Sequence, residues 1–329
     1  MLKHNDMNRK IIISGALILL LVVVVFMGWD LFFSKPDNRI NPYAYQMDSL
    51  KSCDTSMVRY AETQQIKPGL QGIHGLVVDK SDHIYISGDT GVELFDQSGM
   101  RLGGFTTGES AQCIHVASNG LIYLGMRDHL EIYSISGEFL KRWKSCDDHA
   151  IITSIAVNGN DVYIADAGNK IVYHYNTAGN LLSRIGQKDP ERGIPGFVIP
   201  SPYFDLGIGR NGELWVVNPG RHSFEQYNPD GELNSSWGKA SMSIEGFCGC
   251  CNPSHFALRS DGSFVTSEKG IERIKIYKPN GDFSCLVAGS GAFVEGTNGL
   301  DLAVDSKGRI LVLDPEKNQI RIFTEKMKN

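Results

Sequence analysis

Positive charge is in short supply: 32 Lys and Arg stand against 37 Asp and Glu, a formal net charge of −5 over 329 residues. A chain with that balance exerts no long-range pull on a phosphate backbone, so nucleic acid is excluded as an expected partner. Helical periodicity is missing too. Past Ser49 no segment repeats its apolar residues every ~3.6 positions, which argues against helical architectures. Chemistry-bearing signatures of strict spacing are also absent: there is no G-x-S-x-G elbow, no P-loop and no H-E-x-x-H pair. Gly207 to Gly212 does read G-x-G-x-x-G, but it joins two predicted strands where a dinucleotide site needs it to open a helix. Asn234-Ser235-Ser236 is a glycosylation sequon that carries weight only in a eukaryotic secretory protein.

What is present begins with bulk. Hydrophobic residues make up 42% and charged residues 21%, enough to bury a substantial core. Ile11 to Gly28 (IIISGALILLLVVVVFMG) is uncharged and apolar, and Trp29 closes it. The stretch predicts a transmembrane helix over 11–29, preceded by a cytoplasmic N-terminus at 1–10 and followed by a linker at 30–56. No small-x-small cleavage pattern and no lipobox cysteine follow it, and Lys3, Arg9 and Lys10 lie on its N-terminal side. The expectation is a single-pass signal-anchor in the plasma or inner membrane, with the membrane as one partner and the remaining chain periplasmic or extracellular.

That remaining chain repeats itself. Ser154 to Tyr175 (SIAVNGNDVYIADAGNKIVYHY) and Asp301 to Phe323 (DLAVDSKGRILVLDPEKNQIRIF) share one grammar: apolar strand, polar turn, β-rich strand, D-x-x-x-N loop, and a strand with an aromatic end. The same grammar recurs with second strands centred on Tyr85, Tyr123, Tyr163, Trp215, Val265 and Leu311, and five copies continue into a glycine turn: DQSG, SISG, NTAG, NPDG and KPNG. Four short antiparallel strands per copy, repeated at ~40–50 residues, predict an all-β, six-bladed β-propeller over 57–329. The last copy lacks a fourth strand, whereas Met57 to Ile66 has nothing beside it to pair with. That segment is predicted to complete the last blade and close the ring.

In this grammar the copies resemble NHL repeats, the six-bladed propeller family, over residues 57–329. The resemblance implies a ring that binds a ligand or partner, without fixing one reaction, since related propellers include metal-dependent lyases and lactonases.

Blade topology places the connections between blades, and between second and third strands, on one face. The long segments 187–200 and 239–253 fall there, and long loops are where function is grafted. The second holds Phe247-Cys248-Gly249-Cys250-Cys251-Asn252-Pro253-Ser254-His255. Cys248, Cys250, Cys251 and His255 could offer thiolates and imidazole to copper(I), zinc or an iron-sulfur centre. Cys146 and His149 hang from the same face. Aligned inner strands place Gly75, Cys113, Ser154, Asp205, His255 and Asp301 in one ring at the axial mouth, and Cys113, Asp205, His255 and Asp301 are all ligand types. The competing reading is a disulfide brace, in which the clustered cysteines pair with Cys146 or with one another. With seven cysteines, at least one stays free or pairs with another chain. Cys285 reads as core, Cys53 as linker, and Glu268, Lys269, Glu272 and Arg273 as a solvated loop.

Three functions remain open: a binding or scaffold ring that docks a protein or a small molecule on its loop face; a metal or redox centre at Cys248, Cys250 and Cys251; and a hydrolase or lyase using a metal held by His255, Asp205 and Asp301. Binding ranks first and catalysis last, because no general base stands beside a visible partner.

Overall fold

The computed structural model describes residues 2–33, 54–144 and 147–327. The first stretch is a single helix, Leu2–Phe33. Among the described residues no helix is long and apolar enough to cross a membrane. This corrects the expectation of a single-pass membrane protein with a cytoplasmic N-terminus, an extracytoplasmic ring and the membrane as a partner. The uncharged run between Lys10 and Asp30 rises about 28 Å at ~1.5 Å per residue, short of a hydrocarbon core of ~30 Å. Lys10 and Asp30 bring charge close to either side. The linker expected at 30–56 lies largely outside the described residues.

From Tyr60 onward the chain forms six four-stranded antiparallel sheets. The first five blades occupy 73–106, 113–143, 152–185, 206–238 and 255–288. In the sixth, Leu302–Val304, Ile310–Asp314 and Gln319–Glu325 are joined by Tyr60–Ile66, which pairs antiparallel with Gln319–Glu325. The ring therefore closes as the unfinished last repeat predicts, and an ion pair between Glu62 and Arg321 fastens the seam.

Burial explains which residues occupy which strand. Second and third strands lie between neighbouring sheets and are buried along nearly their whole length, as in Ile84–Gly88, where every residue is buried. Outermost strands face solvent, so Arg101–Thr106 alternates exposed and half-buried residues. Each of the six blade junctions holds its own hydrophobic cluster; the one between the fourth and fifth blades is aromatic, with Phe224, Phe247, Phe256, Phe264 and Tyr277. The turn glycines contribute to this packing. Gly137 has φ +83°, and a Cβ there would sit 2.7 Å from the Phe105 ring of the preceding blade. Only glycine satisfies both the left-handed turn and that close approach.

Candidate functional site

Three side chains meet at the axis because three successive blades begin their innermost strands at equivalent places. Asp205, His255 and Asp301 precede or open the strands Leu206–Ile208, His255–Leu258 and Leu302–Val304. His255 Nδ1 lies 3.8 Å from Asp205 Oδ2 and 3.6 Å from Asp301 Oδ1. One ligand atom from each of the three lies within 4.8 Å of the others, and no other group of three or more metal-type side chains converges in this way among the described residues.

Both carboxylates also bolt blades together. Asp205 Oδ1 accepts from Ser154 Oγ at 2.6 Å and from Leu206 N–H at 2.9 Å, and its Oδ2 accepts from Phe256 N–H at 2.9 Å. Asp301 Oδ2 takes the Leu76 N–H of the first blade and Oδ1 the Leu302 N–H, each at 2.8 Å. A carboxylate oxygen has two acceptor sites, so Asp205 Oδ2 and both Asp301 oxygens keep one beyond these bonds. Burial pushes the Asp205 carboxyl above its ordinary range and raises Asp301 to about 6, with His255 pulling both the other way. Cys113 sits in the wall of the same axial cavity. Burial, with the Asp301 charge adding to it, keeps its thiol strongly protonated.

Above this cluster the channel opens into a mouth of ≈ 510 Å³ whose lining includes His74, Gln112, Arg127, Tyr203, His255 and Asn298. Gln112, Arg127, Tyr203 and Asn298 come from inter-blade and second-to-third-strand connections, and His74 and His255 from the starts of inner strands, so the cavity lies on the loop-bearing face.

The cysteine loop sits beside the mouth, held by a dry ion network. Glu268 and Glu272 are 1% exposed and Arg273 is 2% exposed, which corrects the expectation of a solvated loop. Arg273 Nη2 lies 2.6 Å and Lys275 Nζ 2.7 Å from the Glu268 carboxylate, while Glu272 accepts the Gly296 N–H at 2.9 Å. Lys275 also donates to the carbonyls of Ile244 at 3.2 Å and Gly246 at 2.6 Å, and burial pushes its ammonium down to about 8. Mutual neutralisation lets these charges leave water.

Within that loop the sulfurs divide. Cys248 turns toward Arg273, with Nη2 3.9 Å from Sγ, and burial leads in raising its thiol. Cys250 is exposed and Cys251 is buried, with their sulfurs 2.9 Å apart. Burial opposes ionisation of Cys251, but the hydrogen bonds of Cys250 and Ser201 and the Lys269 ammonium outweigh it and pull the thiol below its ordinary value. The five described cysteines, Cys113, Cys248, Cys250, Cys251 and Cys285, are all free thiols, and Cys285 is buried as its strand position predicts. Cys53 and Cys146 lie outside the described residues. His149 is exposed and rests 3.2 Å from Asp147.

Sequence reading missed the side chains that join loop and axis. Lys269 Nζ donates to Ser201 Oγ at 2.8 Å and stands 4.8 Å over the Tyr203 ring, which lies 5.7 Å from the His255 ring. Ser201 and Tyr203 belong to the long connection between the third and fourth blades, which lies outside the strand-and-turn repeat, so the repeat pattern gave no cue to them.

No protein-family model matches the chain, and no curated protein does either. Solved structures do. A streptogramin B lyase superposes with a TM-score of 0.57 at 12% identity, covering 81% of this chain and 98% of that one. A catalytically inactive histidine-to-alanine variant of virginiamycin B lyase from Staphylococcus aureus, solved with quinupristin, gives 0.54 at 13%, covering 81% and 88%. The WD40 β-propeller domain of Doa1 gives 0.55 at 13%, covering 77% and 79%. At these identities the likeness shows the propeller fold alone. The NHL assignment rests on the repeat grammar and is not shown by any comparison.

Proposed function

We propose that the chain is a binding propeller that takes a small polar ligand in its axial mouth, with a divalent cation held by Asp205, His255 and Asp301 linking ligand to protein. The observation that carries this reading is the convergence of a buried carboxylate, a half-buried carboxylate and one imidazole in the axial cavity, with the imidazole of His255 also lining the ≈ 510 Å³ mouth. That volume falls within the ~300–1,000 Å³ of small-ligand sites. The donor set suits a hard or borderline ion, since it offers oxygen, nitrogen and net negative charge. Carboxyls raised by burial are costly as anions, and a cation among them offsets the cost. Bolting the blades explains the backbone bonds of Asp205 and Asp301, but not the imidazole set between them.

Titration calorimetry with Mn²⁺ on the full chain tests this. Wild type should bind one equivalent, and His255→Ala and Asp301→Asn should weaken binding about tenfold or more. No uptake by wild type, or unchanged uptake by both variants, would refute the reading.

The lyase folds and the presence of His255 favour a second reading, a metal-assisted lyase or hydrolase. A bound cation would supply Lewis acidity, and His255, flanked by carboxylates, would accept a proton from the ligand. Quinupristin incubated with the chain and Mn²⁺ and followed by chromatography separates the two: conversion lost in His255→Ala supports catalysis, and intact quinupristin leaves binding as the sole reading.

A further inference from the structure

Away from the axis, two nucleophilic atoms are held face to face. Cys250 Sγ and Cys251 Sγ are 2.9 Å apart, and the pair is asymmetric: Cys250 is exposed, whereas Cys251 is 2% exposed. The loop that carries them is pinned on both sides. Upstream, the Ile244 and Gly246 carbonyls are tied to the buried Lys275. Downstream, the Asn252 side chain donates to the carbonyls of Cys248 at 2.7 Å and Lys269 at 3.0 Å and accepts the Lys269 N–H at 2.9 Å. The Asn252 carbonyl in turn lies 2.9 Å from His222 Nδ1. Cys248 is set apart, facing Arg273.

We propose that Cys250 and Cys251 form a dithiol centre that reduces small disulfides by exchange, closing into a disulfide between adjacent residues. The exposed sulfur meets the oxidant, a low-molecular-weight disulfide such as glutathione disulfide. The pair first gives up one proton; with the other on Cys251 Sγ, 2.9 Å away, the Cys250 thiolate attacks one of the oxidant's sulfurs. A mixed disulfide forms on Cys250 and one glutathione thiolate leaves. Cys251 then gives the proton to that thiolate and attacks Cys250 Sγ, releasing the second glutathione as thiolate. One thiol and one thiolate become a protein disulfide, two electrons pass to the oxidant, and the one proton ends on glutathione, so charge and atoms balance. Adjacent Cα atoms sit about 3.8 Å apart, below the ~4.4 Å at which unstrained disulfides begin. The closed form is therefore readily reopened by thiols, which suits an exchange centre better than a permanent brace.

The test uses the full chain, reduced and then equilibrated anaerobically across a series of glutathione to glutathione disulfide ratios, alkylated, digested and read by peptide mass spectrometry. Wild type should show a peptide that has lost two hydrogens between Cys250 and Cys251, with Cys248 still alkylated. Cys251→Ser should stop with glutathione retained on Cys250. In Cys250→Ser, Cys251 should stay unmodified because it is buried, a readout that serves even where the first variant does not fold. Cys250 and Cys251 remaining alkylated across the whole series would overturn the proposal. So would a bond from either to Cys248, Cys146 or Cys53, or glutathione on Cys251 in Cys250→Ser. None of these readouts depends on Mn²⁺ binding at the axis.

Discussion

Asp301 shows how one carboxyl can serve fold and site in opposite senses. It bolts the sixth blade to the first through the Leu76 N–H, yet burial raises its carboxyl to about 6 from an ordinary 3.8. A raised acid binds its proton more tightly when folded than when unfolded. Between those two values the native chain holds more protons, so stability falls as pH rises through the window, and the full cost stands above pH ~6. A shift of that size corresponds to about 3 kcal/mol. Asp301→Asn, measured without divalent cations, should therefore look more favourable relative to wild type at pH 7 than at pH 4, by up to about 3 kcal/mol in urea unfolding. Added Mn²⁺ should shrink that difference by stabilising the wild-type anion, and an offset between the proteins that does not change with pH would contradict the account. Residues of this kind were legible in the sequence because aligned inner strands put Asp205, His255 and Asp301 in register. Arg127 and Tyr203 were not, because the loop of Arg127 departs from the D-x-x-x-N pattern and Tyr203 stands on an inter-blade connection outside the repeat grammar.

At the scale of elements, the blades were legible and the loop between the fourth and fifth was not. Turn glycines and aromatic strand ends are local signals, repeated five times, and each has a packing reason visible in one blade and its neighbour, as Gly137 and Phe105 show. The charges of Glu268, Glu272 and Arg273 read as solvated because what covers them is not local: Glu268 pairs with Arg273 and Lys275, and Lys275 is held in turn by carbonyls 31 and 29 positions upstream. Lys275 is the pin of that loop. Lys275→Met should cost about 3–5 kcal/mol, since it leaves Glu268 buried with one cation fewer and frees two carbonyls. Pairing it with Glu268→Gln should recover part of the loss, and limited proteolysis should cut within 239–253 faster in the single variant than in wild type. Equal midpoints in denaturant for wild type and Lys275→Met would show that the network holds nothing in place.

For the molecule as a whole, ring closure matters most, because it sets three blades around one axis and so assembles the site from segments far apart in sequence. Tyr60–Ile66 closes the last sheet against Gln319–Glu325; a chain that begins after Ile66 would leave that strand as an open edge. Such a truncation should unfold at a lower temperature and self-associate on size-exclusion chromatography, whereas an unchanged melting point and a monomeric profile would mean the ring closes without the strand. The same closure brings the first blade's Leu76 N–H to Asp301, so the truncation should also weaken Mn²⁺ uptake. The most direct check of the central claim is anomalous diffraction at the manganese edge from crystals of the full chain soaked in Mn²⁺. The account predicts one peak on the axis between Asp205, His255 and Asp301, and its disappearance in His255→Ala crystals; density with no peak there, or with the metal seated at the cysteine loop, would contradict it.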